Sequence, residues 1–212
     1  DFRLDFNLNP YQYKMIRSLD FYQFMQQRLK TFSQLTQVTD EVQKIESNRV
    51  TTLKKEYNSD LIFSSILDPK KLFQQKKYPV LQQHFLGQII ETKNNCFDPD
   101  RIEFMNFDIP QKGNTRFMYV LPLSSNKALL EFTLFSEDLL DRQDYVDEIT
   151  AFANQIPTGG YKVIEEEQGN IPMTCFQFDI SNTENILQIG TAGGWTKPST
   201  GYTFQRINSK TK

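Results

Sequence analysis

The chain has 212 residues, of which 38% are hydrophobic and 13% aromatic, and its formal net charge is −2 at pH 7. This length allows one large or two small domains, and the near-neutral charge, without a long run of Lys and Arg, argues against nucleic acid as a partner. No segment reads as a membrane span or a signal peptide. The widely separated Cys96 and Cys175 favour a reduced, cytosolic setting, and with His84 as the single histidine no metal site is predicted.

The first third of the chain predicts a helix followed by a small meander. Ser18 is a suitable N-cap, and apolar residues follow at helical spacing, so we expect an amphipathic helix over residues 19–32. Short alternating segments at 34–38, 41–46 and 49–54, with a turn at Asn48, predict an antiparallel meander.

The next segments lead into a different region. Residues 61–63 predict a buried strand. Residues 67–80 are polar and contain Pro69 and Pro79, so they predict a linker or a crossover connection.

From residue 85 onward the sequence is typical of an antiparallel sheet. β-branched and aromatic residues are frequent, and the predicted strands cover 85–92, 101–108, 116–121, 128–135, 161–166 and 171–178. Tyr145, Ile149 and Phe152 recur at helical spacing and predict one helix that covers this sheet. The eighteen Phe residues indicate a bulky core more often than a pocket for a large apolar ligand.

A glycine-rich segment follows a short apolar run near the end of the chain. The run contains Ile186, Leu187 and Ile189, the segment extends from Gly190 to Tyr202, and residues 203–206 begin a helical pattern. Strand, glycine-rich turn and helix start bring bare backbone N–H groups together, where a phosphate or the edge of an electron-rich ring can bind. From these residues alone, an ordinary turn between a strand and a helix is an equally good interpretation.

The order of these segments predicts an α/β unit that an antiparallel sheet interrupts and that the chain re-enters at the glycine-rich turn. A dinucleotide-binding unit of this kind should open with a GxGxxG motif, and this chain contains none. Because the chain begins with Asp1 rather than Met, we expect the part carrying that motif to lie upstream.

Several motifs stand in a fixed order along the chain. They are Phe97 to Arg101, Phe104 to Phe107, Phe117 to Pro122, Ala128 to Thr133, Glu167 to Met173, and Ile189 to Tyr202. In this order they resemble the flavin-dependent lycopene cyclases of bacteria and plants, over nearly the whole chain and with both ends incomplete.

The resemblance implies a fold and a division of the chain. The fold class is α/β with α+β character, a partial FAD-binding unit interrupted by a largely antiparallel substrate domain. Residues 1–68 and 181–212 would belong to the FAD-binding domain and residues 69–180 to the substrate domain.

The resemblance also implies a reaction without net redox change. An end group of lycopene is protonated, the cation is attacked by a neighbouring double bond, and loss of a ring proton gives a β-ionone ring. The family needs reduced FAD, with NADPH as reductant, and takes lycopene or another acyclic carotenoid from a membrane. We therefore expect a cytoplasmic enzyme in peripheral contact with the membrane. Since half of the FAD site would be missing, the 212 residues alone should neither hold FAD tightly nor turn over.

Glu131 is the predicted catalytic acid, because the essential acidic residue of the family falls at this position. A carboxyl buried among Leu and Phe has a raised pKa, so it can stay protonated and donate to an alkene. In a strand of period two, however, Leu130 and Phe132 share one face and Glu131 lies on the other. The residues alone therefore favour an outward-facing Glu131, and the resemblance favours catalysis.

The remaining predicted site residues fall into two groups. Aromatic faces can stabilise a carbocation, and the predicted substrate-binding residues are Phe117, Tyr119, Phe132, Thr133 and Trp195. The predicted flavin-binding residues are Gly190, Ala192, Gly193, Gly194, Thr200 and Gly201.

One position departs from the family pattern. The family usually has Asp where this chain has Asn106, and an amide cannot donate a proton as an acid. If that Asp takes part in proton transfer, activity is affected; if it only orders a strand end, Asn106 suffices. The alternatives to a cyclase are a related FAD-dependent reductase or hydroxylase, or an inactive fragment that binds a hydrophobic ligand.

Overall fold

The structure is a computed structural model that describes residues 4–211, so Asp1 lies outside the described residues. The chain divides into two compact units, residues 1–59 and residues 60–212. The three-part division into residues 1–68, 69–180 and 181–212 stays a prediction.

The first unit contains the predicted helix and a meander whose strand boundaries differ from the predicted ones. The helix α1 spans Ser18–Leu29, with Arg17 rather than Ser18 at the N-cap, so the predicted N-cap is wrong. The strands β1 (Val42–Glu46), β2 (Arg49–Thr52) and β3 (Glu56–Asn58) pair antiparallel in the order β1-β2-β3.

Two boundaries of the predicted meander are also wrong. Residues 34–38 form no strand. The second strand ends at Thr52 because its N–H donates to the carbonyl of Lys55 (2.9 Å), which reverses the chain into β3.

The second unit begins with a short parallel pair. The strand β4 (Ile62–Ser64) pairs in parallel with β10 (Ile186–Gln188), which lies far along the chain. Ile62 is buried, whereas Phe63 is 63% exposed, so the predicted buried strand buries one side only.

The expected linker contains a helix, α2 (Pro69–Gln74). The Asp68 side chain accepts hydrogen bonds from the N–H groups of Lys70 and Lys71, and Pro69 occupies the first turn, where its missing N–H costs nothing. Leu72 is buried and fixes the helix to the unit. The prolines therefore mark a helix start, and the linker prediction is wrong here.

An antiparallel sheet forms most of the second unit, as predicted. Its strands are β5 (Val80–Thr92), β6 (Glu103–Asn106), β7 (Arg116–Ser124), β8 (Lys127–Ser136) and β9 (Tyr161–Thr174). Their spatial order is β6-β7-β8-β5-β9, and each neighbouring pair is antiparallel.

The helix α3 (Arg142–Ala153) covers one face of this sheet. The core between them is apolar and includes Leu86, Met118, Leu130, Phe132, Tyr145 and Ile149. Because side chains alternate along a strand, the residues between these core positions point to the other face. We call the other face the second face; it carries Phe117 and Tyr119 of β7, Leu129, Glu131 and Thr133 of β8, Phe85 and Gly87 of β5, and Glu165, Glu167 and Gly169 of β9.

The last sheet strand is longer than predicted. Residues 161–166 and 171–178 were expected as separate strands, but β9 runs without interruption from Tyr161 to Thr174. Gly169 lies opposite Phe85, and a Cβ on Gly169 would lie 2.4 Å from Cζ of Phe85. The phenyl ring therefore occupies the space that the glycine leaves, and the strand continues through it.

The histidine is part of a buried hydrogen-bond chain at the core. The N–H of Leu140 donates to the Tyr145 hydroxyl (3.3 Å), and that hydroxyl lies 2.5 Å from Nδ1 of His84. Nε2 of His84 lies 2.7 Å from Oγ of Ser136, whose hydroxyl donates to the carbonyl of Asp138. All four hydrogen bonds can form when His84 is neutral and carries its proton on Nε2, because Nδ1 then accepts from Tyr145 and Nε2 donates to Ser136. His84 is thus a structural residue.

The chain after β10 is irregular. A single 3₁₀ turn spans Gly190–Gly193, and the predicted helix start is confirmed by α4 (Phe204–Lys210). Among residues 4–211, no helix combines the length and the apolar character that crossing a bilayer requires. The fold is mixed α/β with antiparallel sheets, as predicted.

Candidate functional site

Glu131 lies in the middle of the second face of the sheet. It is in β8, opposite Tyr119 of β7 on one side and Gly87 of β5 on the other. The hydroxyl of Thr133 donates to its Oε1 (2.9 Å). Burial raises the pKa of Glu131 to about 7; the Thr133 hydrogen bond opposes this shift, and the negative charge of Glu167 adds to it.

The surroundings of Glu131 bear on both interpretations of the sequence. Glu131 does point away from the core, as the period of two requires, but that side is not open solvent. Its face-mates Thr133 and Phe117 are 0% and 2% exposed, and Leu129 is buried. Glu131 itself is half-buried. The second face is therefore partly buried around Glu131, and this burial favours the protonated form of its carboxyl group.

Aromatic rings line this surface next to Glu131. The rings of Phe117 and Tyr119 meet edge to face, with centroids 5.2 Å apart. Phe104 contacts Tyr119 at 5.3 Å, and Phe107 contacts Phe117 at 5.4 Å. A cluster of this kind presents ring faces and edges without charge, which suits an apolar chain that develops a positive charge.

The predicted substrate-binding residues separate into three places. Phe117, Tyr119 and Thr133 share the second face with Glu131. Phe132 is fully buried on the opposite face, where its ring lies 6.2 Å from that of Tyr145. Trp195 is buried in the glycine-rich segment, and its backbone N–H donates to the carbonyl of Gly190 (2.9 Å). The structure therefore does not bring Phe132 together with Glu131.

The glycine-rich segment has conformations that need glycine. Gly190, Gly194 and Gly201 have φ values of 60°, 67° and 73°, in the left-handed region. At Gly193 the reason is space, because a Cβ there would lie 2.2 Å from the carbonyl oxygen of Gln188.

Many N–H groups of this segment are already bonded, contrary to the expectation of bare donors. Those of Gly193, Gly194, Thr200 and Gly201 donate to carbonyls within the segment and its entry strand. The first N–H groups of a 3₁₀ turn have no partner inside the turn. The donors available to a ligand are therefore those at its start, from Gly190 to Ala192.

The end of the glycine-rich segment contacts the second face. A Cβ on Gly201 would lie 2.5 Å from Oε1 of Gln83 and 3.7 Å from Cδ1 of Ile171. Gln83 and Gly87 are both in β5, four residues or about 13 Å apart along the strand. The segment and Glu131 thus belong to one surface of the second unit.

Sequence reasoning missed Gln83, and its side chain is informative. Oε1 of Gln83 is buried and has no hydrogen-bond partner among the described residues. A buried acceptor without a partner can be satisfied by a water molecule or by another donor group. No sequence signal could have identified it, because its environment comes from a loop far along the chain.

These residues fit a flavin. The direction of a Cβ on Gly190 is open, with nothing within 4 Å, so a planar ring can approach the backbone there. The N–H groups at the start of the turn can donate to ring oxygens or nitrogens.

Asn106 lies away from Glu131. Its strand position pairs with Met118, whose side chain is in the core, and its amide donates to Oε2 of Glu103 (2.8 Å). Its Oδ1 accepts from the N–H of Asp108 (2.9 Å). Met105 before it has a φ of 56°. Asn106 therefore orders a bulged strand end in this chain, and its effect on activity stays a prediction.

Comparisons with known proteins agree with this architecture. The family model described as lycopene cyclase protein matches residues 5–212. Neoxanthin synthase, chloroplastic, of Solanum tuberosum is 30% identical over 132 residues, which are 57% of this chain and 26% of that protein. Lycopene beta cyclase, chloroplastic/chromoplastic, of Narcissus pseudonarcissus is 29% identical over 143 residues, 62% of this chain and 28% of that protein. The chain spans about a quarter of the length of these curated relatives.

Solved structures share the fold at low sequence identity. A flavin-dependent halogenase from Xanthomonas campestris matches with a TM-score of 0.57 and 9% identity, over 89% of this chain and 38% of that one. A geranylgeranyl bacteriochlorophyll reductase-like protein from Thermoplasma acidophilum matches with a TM-score of 0.53 and 13% identity, over 80% of this chain and 45% of that one. Since the family model matches nearly the whole chain, this protein belongs to the lycopene cyclase family.

Proposed function

We propose that this chain carries the proton-donating centre of a lycopene cyclase, which converts the ψ end groups of lycopene into β-ionone rings. The observation that carries the proposal is the carboxyl group of Glu131, half-buried beside Tyr119 and protonated near neutral pH. Membership of the family and the relative named lycopene beta cyclase support the substrate class.

The chemistry follows from the surroundings of this carboxyl group. Protonated Glu131 donates its proton to the terminal double bond of the end group, which leaves a tertiary carbocation. The neighbouring double bond attacks the cation and closes the ring, and loss of a ring proton gives the β-ionone product. One proton enters and one leaves, so the substrate is neither oxidised nor reduced. The buried side chains of Thr133 and Phe117 limit the access of water to this side of Glu131, and water would otherwise capture the cation.

The aromatic residues and the Thr133 hydroxyl have separate roles in this proposal. The rings of Phe117 and Tyr119 stabilise the developing positive charge, and the carboxylate left on Glu131 does the same after proton transfer. The hydroxyl of Thr133 holds Oε1 of Glu131, so it fixes which oxygen faces the substrate.

We propose FAD as the cofactor, which the start of the turn at Gly190 and Ala192 and the close backbone at Gly193, Gly194, Thr200 and Gly201 would hold. When bound in its reduced form, with NADPH as the reductant, the flavin would supply an electron-rich ring that stabilises positive charge. Trp195 packs within the same segment and supports its shape.

We also propose a cytoplasmic location with peripheral contact to a membrane. The support is chemical, since lycopene is an apolar polyene that resides in lipid. The curated relatives have names that place them in the chloroplast.

The test is pigment analysis after expression of the full-length protein in a host that accumulates lycopene. With Glu131→Gln we expect lycopene to persist and β-ring products to fall at least about a hundredfold, as is usual for loss of a general acid. The control is Glu184→Gln, the same change at an exposed position, which should leave cyclisation intact. Ring formation by the Glu131→Gln protein at the unsubstituted rate would refute Glu131 as the acid. Reduced or hydroxylated products would instead indicate one of the alternative flavoenzyme activities.

A further inference from the structure

A second carboxyl group lies beside Glu131 on the same face. Both Glu131 of β8 and Glu167 of β9 are registered opposite Gly87 of the intervening strand β5. Three neighbouring strands therefore place carboxyl, glycine and carboxyl in one row across the sheet, with about 5 Å between strands.

The middle position of this row has no side chain, and Glu167 uses the space. A Cβ on Gly87 would lie 3.3 Å from Cγ and 3.5 Å from Oε1 of Glu167. The side chain of Glu167 thus leans over the glycine toward Glu131, while Glu167 itself is exposed to solvent. Two residues away along the strands, Glu165 of β9 lies opposite Ile89 of β5. The side chain of Ile89 therefore stands between Glu165 and β8.

We propose that Glu167 is a positioning residue for Glu131: its carboxylate, held over Gly87, keeps the proton on Glu131 at neutral pH. This inference rests on the proposed role of Glu131 as the acid. Two carboxyl groups in one site resist simultaneous ionisation, so a carboxylate on Glu167 favours the protonated form of the half-buried Glu131. The negative charge of Glu167 acts in that direction on the pKa of Glu131.

Other charged and titratable groups on this face do not replace Glu167. Tyr119 of β7 lies directly opposite Glu131. Glu165 of β9 is separated by Ile89. Glu91 of β5 is bonded to Lys127 of β8 and Lys162 of β9 at 3.0 and 2.6 Å. This cluster lies about 13 Å along the strands from Glu131, and its net charge of +1 is largely screened over that distance.

The experiment is an NMR titration of the Glu carboxyl carbons in the full-length protein without substrate, with the Glu131 signal assigned by its loss in Glu131→Gln. We expect Glu167→Gln to lower the pKa of Glu131 by about half a unit or more. Glu167→Asp should keep most of the effect, since it keeps the charge. Glu165→Gln, the matched control, should shift the Glu131 signal less than Glu167→Gln does.

The pH profile of cyclisation gives a second readout. If Glu131 must be protonated, cyclisation is lost at high pH as Glu131 ionises. In Glu167→Gln this loss should occur at lower pH, by the same amount as the pKa of Glu131 falls in the NMR titration. An unchanged Glu131 titration in Glu167→Gln, or an equal shift in Glu165→Gln, overturns the inference and leaves the proposed function intact. A shifted titration together with normal cyclisation by Glu131→Gln overturns the proposed function and leaves the electrostatic pair.

Discussion

The raised pKa of Glu131 has a consequence for stability that needs no substrate. Its pKa is about 7 in the folded protein against an ordinary value of 4.5, because burial disfavours the carboxylate. Between these two values the folded state binds more protons than the unfolded state, so the free energy of unfolding falls as the pH rises. A shift of about 2.5 units at about 1.4 kcal/mol per unit corresponds to about 3 kcal/mol, reached above pH 7.

Replacing Glu131 with Gln removes this dependence. Gln has nearly the same shape and does not ionise, and its Oε1 can still accept from Thr133. We therefore expect Glu131→Gln to gain stability relative to the unsubstituted protein as the pH rises from 4.5 to above 7, by up to about 3 kcal/mol.

The assay is urea denaturation followed by circular dichroism at half-unit pH steps from 4.5 to 8, on both proteins. The quantity of interest is the difference between the two unfolding free energies at each pH, because other titrating groups cancel in it. A difference that stays constant over this range would show that Glu131 ionises with an ordinary pKa and that the second face is wet.

Three further substitutions or conditions test other parts of the structure. Burial and the charge of Arg116 lower the pKa of His84 below 6.5, so stability should fall as the pH drops below 6.5, and a His84→Gln protein should lose that dependence in urea titrations. Tyr145→Phe leaves Nδ1 of His84 without its donor and should cost about 1–3 kcal/mol of unfolding free energy; no loss would show that the buried chain is not formed. Gly193→Ala should lower the melting temperature and the flavin content of the purified protein, since the added Cβ meets a backbone oxygen, whereas normal flavin content would place the cofactor elsewhere.

The sheet was the most predictable part of the fold. Its strands β7 and β8 are rich in apolar and aromatic residues, and the spacing of Tyr145, Ile149 and Phe152 identifies the covering helix α3. Local composition and tertiary burial agree in these segments, so the elements could be predicted, although β7 and β8 have buried residues on both faces and their composition does not identify the core face.

Predictions failed where a non-local partner decides the conformation. Gly169 reads as a break in β9, but the ring of Phe85 on the neighbouring strand fills its space and the strand continues. The prolines of residues 67–80 read as a linker, although Asp68 and Pro69 form a helix start. Phe132 follows Glu131 directly and was grouped with it, yet the pleat of β8 places its side chain on the opposite face.

One residue of the candidate site could be selected from the sequence, and its surroundings could not. Glu131 was selected through the resemblance, because the essential acidic residue of the family falls at this position, whereas the residues alone favoured an outward-facing side chain. Glu167 and Gln83 could not, because their relation to Glu131 and to Gly201 depends on the register of β5 with β9 and on the return of the chain over the sheet.

The contact between Phe85 and Gly169 restricts how this sheet can diverge. A side chain introduced at position 169 would overlap the phenyl ring at 2.4 Å, so it can be accepted only if position 85 becomes smaller at the same time. The two positions should therefore covary among homologous sequences: a large residue at position 85 should occur with glycine at position 169, and a small residue at position 85 with a larger one at position 169. Relatives in which the two positions vary independently would indicate that the strands β5 and β9 pair in a different register.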